Sequence, residues 1–121
     1  MSRPPITCHI LDTTTGRPAA NVQCELSYLS NEESSISATA YTNADGRVPR
    51  WETDGNSAWI TTSLKKGVYK VRFHTQSYFD SNERETFFPH VDIVFKVENI
   101  DEHYHIPLLL SNYGYSTYRG S

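Results

Sequence analysis

The constraint that most limits what this chain can fold into is a period of two, recurring in short segments from one end to the other. Side chains alternate between the faces of a β-strand, so alternating apolar and polar residues predict strands buried on one side. Tyr69, Val71 and Phe73 alternate with Lys70, Arg72 and His74, and Val91, Ile93, Phe95 and Val97 with Asp92, Lys96 and Glu98. Near the start, Ile6, Cys8 and Ile10 oppose Thr7, His9 and Leu11, and Val22, Cys24, Leu26 and Tyr28 then oppose Gln23, Glu25 and Ser27. Near the end, Tyr104, Ile106, Leu108 and Leu110 face one way and His103, His105, Pro107, Leu109 and Ser111 the other. A weaker strand is expected over residues 37–42.

Turn formers punctuate these runs. The stretch DTTTGRP at 12–18 ends the first strand, residues 31–35 read as a polar loop, and Lys65-Lys66-Gly67 makes a further turn. In Asn43-Ala44-Asp45-Gly46, Asp-Gly supplies the positive φ of a tight hairpin. Residues 48–64 are less regular: Trp51, Trp59 and Ile60 suggest packed segments and a short edge strand around the loop-like ETDGNSA. Residues 75–85 lack alternation, and Ser77 three positions before Asp80 suits one or two turns of capped helix.

Seven or eight short strands with one brief helix indicate an all-β antiparallel sandwich. The Cys…Trp…Cys order of an immunoglobulin domain is absent, because Cys8 and Cys24 both precede the tryptophans. With 121 residues and 37% hydrophobic content, the chain is expected to form a single domain over 1–121. A net charge of −3 without a basic run argues against nucleic acid as a partner. The longest apolar run, residues 106–110, is far too short to span a bilayer, and MSRPPITCHILD enters a strand pattern without room for a signal peptide. A cytoplasmic protein is expected, with both cysteines reduced in the core.

The non-core faces carry the chemistry. Histidine on an exposed sheet face is ordinary, but His9 and His105 would form one site if the first and last long strands were neighbours. Imidazole, with an ordinary pKa of ~6.5, suits proton transfer near neutrality. Two of them with an arginine would serve hydrolysis of a polarised carbonyl, with water as nucleophile because no serine or cysteine sits in a nucleophile elbow. A rival use is zinc: His103 and His105 share a face and could join His9 in a three-histidine site. A lone His-x-His is a weak pattern, and proton transfer is preferred. Arg47 directly follows the Asp-Gly turn, where a solvated arginine would be equally ordinary. His74 and His90 read as surface residues without partners.

The segments ITCHILDTTTGRPA, TNADGR and HYHIPLLLSNYGYSTYRGS, with YKVRFHTQSYF and FFPHVDIVFKV between them, resemble the 5-hydroxyisourate hydrolases of the transthyretin-like family over nearly the whole chain. The terminal YRGS is the most specific piece, since the hormone-carrying transthyretins of the same fold lack it. The resemblance implies a prealbumin-like sandwich of two four-stranded sheets with one short helix. It also implies a homotetramer whose central channel is lined by the sheet carrying the first and last strands. By position it assigns catalysis to His9, Arg47 and His105, and substrate binding to Tyr118, Arg119, Gly120 and Ser121, with no metal or cofactor. The implied reaction opens 5-hydroxyisourate to 2-oxo-4-hydroxy-4-carboxy-5-ureidoimidazoline on the route from urate to allantoin. The alternatives are a non-catalytic carrier of a small aromatic ligand and a purely structural β-domain. The final Gly-Ser is not the peroxisomal tripeptide, which keeps a cytoplasmic expectation ahead of a peroxisomal one. Three departures stand out: Asn112 where the family has proline, His90 after a proline, and a long stretch at 52–63.

Overall fold

A computed structural model describes residues 4–30 and 36–121. The polar loop expected at 31–35 and the first three residues of the N-terminal lead lie outside the described residues. In chain order the elements are β1 (Ile6–Asp12), β2 (Arg17–Pro18), β3 (Gln23–Tyr28), β4 (Ile36–Tyr41) and β5 (Glu52–Thr53). A 3₁₀ turn (Ala58–Thr61), β6 (Gly67–Phe73), α1 (Thr75–Ser81), β7 (Val91–Val97), β8 (Tyr104–Leu110) and β9 (Tyr115–Thr117) follow. One sheet has the order β2-β1-β8-β9 and the other β5-β4-β3-β6-β7. The second sheet thus has five strands rather than four, the fifth being the two-residue edge strand β5 in the irregular stretch.

The alternating residues do what their period predicts. Ile6 and Ile10 of β1, Leu108 and Leu110 of β8, Leu26 of β3, and Val71 and Phe73 of β6 are all at most 1% exposed and meet between the sheets. Each such side chain contributes roughly 1.5–3 kcal/mol through removal from water. Cys8 and Cys24 are buried as free thiols in this core, where burial pushes the Cys24 thiol up to about 12.

Three expectations are corrected in detail. β1 and β8 pair in parallel, whereas the other ladders are antiparallel; the pairing sets Thr7 beside His105 and His9 beside Pro107. The Asp-Gly turn closes no tight hairpin: β4 and β5 pair antiparallel, but only across the long connection 42–51. Gly46 has φ 74°, but the chain leaves β4 of one sheet and Arg47 then bridges His9 of the other. A Cβ at Gly46 would fall 2.5 Å from the Ile10 carbonyl oxygen, so glycine permits the close approach that moves the chain between layers. Finally, α1 starts after His74 without a side-chain cap, and Ser77 lies inside it. His74 is not partnerless, since its Nε2 pairs with Glu25.

The end of β1 is clamped from outside the sheet. Asp12 is 0% exposed, receives hydrogen bonds from Tyr78 Oη (2.7 Å) and Arg84, and accepts from the Thr14 and Thr15 backbone amides. Arg84 also donates to Asn112 Oδ1 at 2.7 Å, and Asn112 Nδ2 donates to the Glu85 carbonyl at 2.8 Å. Asn112 therefore ties the turn after β8 to the segment after α1.

Candidate active site

The site is built on the outer face of the β2-β1-β8-β9 sheet. Because β1 and β8 are adjacent and parallel, residues 7 and 9 share that face with residues 105 and 107. The His9 and His105 rings lie 6.4 Å apart, centroid to centroid, with an interplanar angle of 26°. Strand adjacency, which periodicity alone could not supply, turns two ordinary surface histidines into a pair.

Arg47 reaches this pair through the crossing segment. Asn43 Oδ1 accepts from the backbone amides of Asp45 (2.9 Å) and Arg47 (3.1 Å), fixing the turn. The Ile10 amide then donates to the Gly46 carbonyl at 2.8 Å, and the Val48 amide to the Cys8 carbonyl at 3.3 Å. Trp51, 3% exposed, donates from Nε1 to the Ile6 carbonyl at 2.9 Å and holds the segment against β1. The result is an arginine directly beside His9 in an antiparallel bridge.

The electrostatics of His9 follow from that placement. Its pKa is lowered from 6.5, first by burial and then by the Arg47 charge, while a backbone hydrogen bond and the carboxylate at Asp45 act in the opposite sense. His9 is therefore held as neutral imidazole around neutral pH, the form that can accept a proton.

The chain's last residues return to the same strand. Gly120 bridges His105, its amide donating to the His105 carbonyl at 3.0 Å. A Cβ at Gly120 would stand 2.5 Å from Cδ2 of the His105 ring. Arg119 points elsewhere: its guanidinium lies 4.5 Å from the Tyr104 ring centroid, with Nη2 3.3 Å from Glu102 Oε1 and 3.4 Å from the His103 carbonyl oxygen. Tyr118 is 59% exposed, and Ser121 is exposed. The structure thus brings His9, His105, Arg47 and Gly120 together, while Arg119 braces the tail against the approach to β8.

Sequence reasoning missed Thr7. Its hydroxyl oxygen lies 2.7 Å from His105 Nδ1 and 2.9 Å from His103 Nε2, between the two rings. Its one legible signal was that it shares the outer face with His9, two positions away. The three histidines do not converge on a point: among the described residues no three His, Cys, Asp or Glu side chains gather as a metal-holding group. A hollow of about 870 Å³ lies at the edge of the other sheet, around Tyr41, Arg50, Trp51 and Thr53.

The fold and this face define a transthyretin-like sandwich. The solved structure of Klebsiella pneumoniae 5-hydroxyisourate hydrolase is similar over 96% of this chain and 92% of its own, with a TM-score of 0.76 and 33% identity. Sea bream transthyretin in complex with thyroxine is similar over 96% and 94%, with a TM-score of 0.81 and 28% identity. In sequence, the probable 5-hydroxyisourate hydrolase of Schizosaccharomyces pombe is 46% identical, covering 98% of this chain and 92% of that protein. With residues 6–120 matching its model, the chain belongs to the HIUase/Transthyretin family.

Proposed function

We propose that this chain, acting as a single domain, hydrolyses 5-hydroxyisourate, and that the paired histidines with Arg47 are its catalytic groups. The observation that carries the reading is the stacked His9–His105 pair, with Arg47 bridged to the His9 backbone and Gly120 of the chain terminus against the His105 ring. Water attacks the ring carbonyl carbon and gives up a proton to neutral His9. The tetrahedral oxyanion lies within the field of Arg47, a charge worth most where water is excluded. Collapse breaks the C–N bond, His105 protonates the departing nitrogen, and the product is a ring-opened carboxylate. Tyr118, Gly120 and Ser121 of the tail form a wall over the pair, and Arg119 holds that wall in place.

A histidine face open to solvent in one chain becomes a closed site when a second copy lays the same sheet opposite. A homotetramer of paired dimers provides such a channel. The second reading, a carrier of a small aromatic ligand, is favoured by the likeness to the thyroxine-bound transthyretin. It gives no use to a depressed histidine pKa or to a glycine fitted against the second ring.

Kinetics of the His9→Ala and His105→Ala variants test the proposal. Each should lower turnover by ~10²–10⁴ with an unaltered melt. In the wild type, protonation of His9 should remove the base, so kcat/KM should fall with decreasing pH through an inflection below 6.5. Variants that keep near-wild-type rates would eliminate the mechanism.

A further inference from the structure

The Thr7 hydroxyl, placed between His103 and His105, has a consequence for the second histidine beyond simple contact. A hydroxyl has one proton to donate and lone pairs to accept, and a neutral imidazole has one nitrogen of each kind. With neutral rings and both bonds satisfied, two arrangements remain. In the first, His105 Nδ1–H donates to Thr7 Oγ1, and the Thr7 hydroxyl donates to His103 Nε2. In the second, every donor is reversed, so His103 Nε2–H donates to Thr7 and Thr7 donates to His105 Nδ1.

The two arrangements differ in what they leave at His105 Nε2, the nitrogen Thr7 does not hold. The first is compatible with both states of a proton-transfer cycle: imidazolium and Nδ1–H imidazole make the same bonds to Thr7, and only Nε2 gains or loses a proton. The second requires Nε2–H in neutral His105, and giving up that proton would produce an imidazolate. Among the described residues Thr7 Oγ1 has no other hydrogen-bond partner, so an acceptor at His103 is what turns the hydroxyl proton away from His105.

We infer that Thr7 and His103 are positioning residues for His105: Thr7 accepts from Nδ1–H, His103 accepts from Thr7, and the proton exchanged with substrate is confined to His105 Nε2. This rests on the reading of His105 as a proton donor. It deepens that reading by naming what fixes the tautomer and plane of the ring, as an orienting partner does for a catalytic imidazole elsewhere. The pairing Thr7↔His105 across the parallel ladder holds the hydroxyl in register, and Gly120 closes the opposite side of the ring at Cδ2.

The test uses the full chain with Thr7→Val, which keeps the branched shape and removes the hydroxyl, and Thr7→Ser, which keeps the hydroxyl. Thr7→Val should lower kcat by about 10- to 100-fold with a smaller change in KM, and Thr7→Ser should recover most of that loss. The ¹⁵N spectrum of the His105 ring should show Nδ1–H as the neutral tautomer in the wild type and a shift towards Nε2–H in Thr7→Val. If Thr7 and His103 act on His105 as one relay, His103→Phe should cost clearly less in the Thr7→Val background than in the wild type. Wild-type kcat and tautomer in Thr7→Val, beside an inactive His105→Ala, would overturn this inference while leaving the catalytic role of His105 standing. An active His105→Ala would remove both. A well-folded Thr7→Ser as impaired as Thr7→Val would show that the methyl packing, not the hydroxyl, matters, and would also overturn it.

Discussion

Gly120 illustrates how narrowly single residues determine this site. Its backbone lies outside the left-handed region, so what it requires is space: a methyl group there would meet the His105 ring at 2.5 Å. Gly120→Ala should therefore displace either the ring or the tail, neither of which belongs to the core. Because a misplacement of about 1 Å can cost on the order of 10²-fold in rate, the variant should melt near the wild type yet lose most turnover. Full activity in Gly120→Ala would show that the terminus does not close on His105 in the working enzyme. Much at this scale was legible in advance. The period of two assigned His9 and His105 to the outer face, where the structure has them; the resemblance proposed Arg47 and the tail for the site, and Arg47 and Gly120 do bridge these two histidines. Thr7 was not legible, because its meaning depends on a register between strands 98 positions apart. The direction of Arg119 was likewise out of reach: it depends on the neighbouring Tyr104 ring and Glu102, and the motif says only that an arginine is present.

At the scale of elements, β1 is held by more than its core face. Burial favours the neutral form of Asp12, but hydrogen bonds from Arg84 and Tyr78 and the Arg84 charge outweigh it and hold the carboxyl below 3.8. A lowered carboxyl pKa stabilises the fold fully above the unfolded value, and the contribution is lost as pH falls through the folded one. Asp12→Asn removes one partner of a buried ion pair and should cost about 3 kcal/mol at neutral pH, with most of the difference from wild type gone in strong acid. Denaturant melts at fixed protein concentration at both pH values measure this, and equal midpoints at neutral pH would show that the clamp contributes nothing. The sequence indicated the strands well because their alternation is a local property. It misjudged the Asp-Gly turn because positive φ serves a hairpin and a crossing between layers equally. The parallel pairing of β1 and β8 was equally invisible, since it is decided by how the two layers close around a common core.

For the whole molecule, the edge strands and the histidine face both point outward. β7 and β9 lie at sheet edges, and apolar side chains on or near them are exposed, including Val94, Tyr115, Tyr113 and Phe87. Unpaired edges with apolar side chains invite pairing with another strand, and a second stacking of the histidine faces would complete a tetramer. Sedimentation at micromolar concentration should report four copies, whereas a fully active monomer would contradict a site enclosed between sheets. The central claim, that this arrangement catalyses hydrolysis rather than only binding, is tested most directly by following freshly generated 5-hydroxyisourate in the ultraviolet. The intact chain and the same chain lacking residues 118–121 should be compared, with thermal melts on the same samples. The account predicts that a small amount of intact protein greatly accelerates decay. The shortened protein should still fold, because the buried alternation of β8 ends at Leu110, but it should lose most of that acceleration. Decay no faster than the spontaneous reaction with intact protein, or undiminished turnover without the tail, would contradict it.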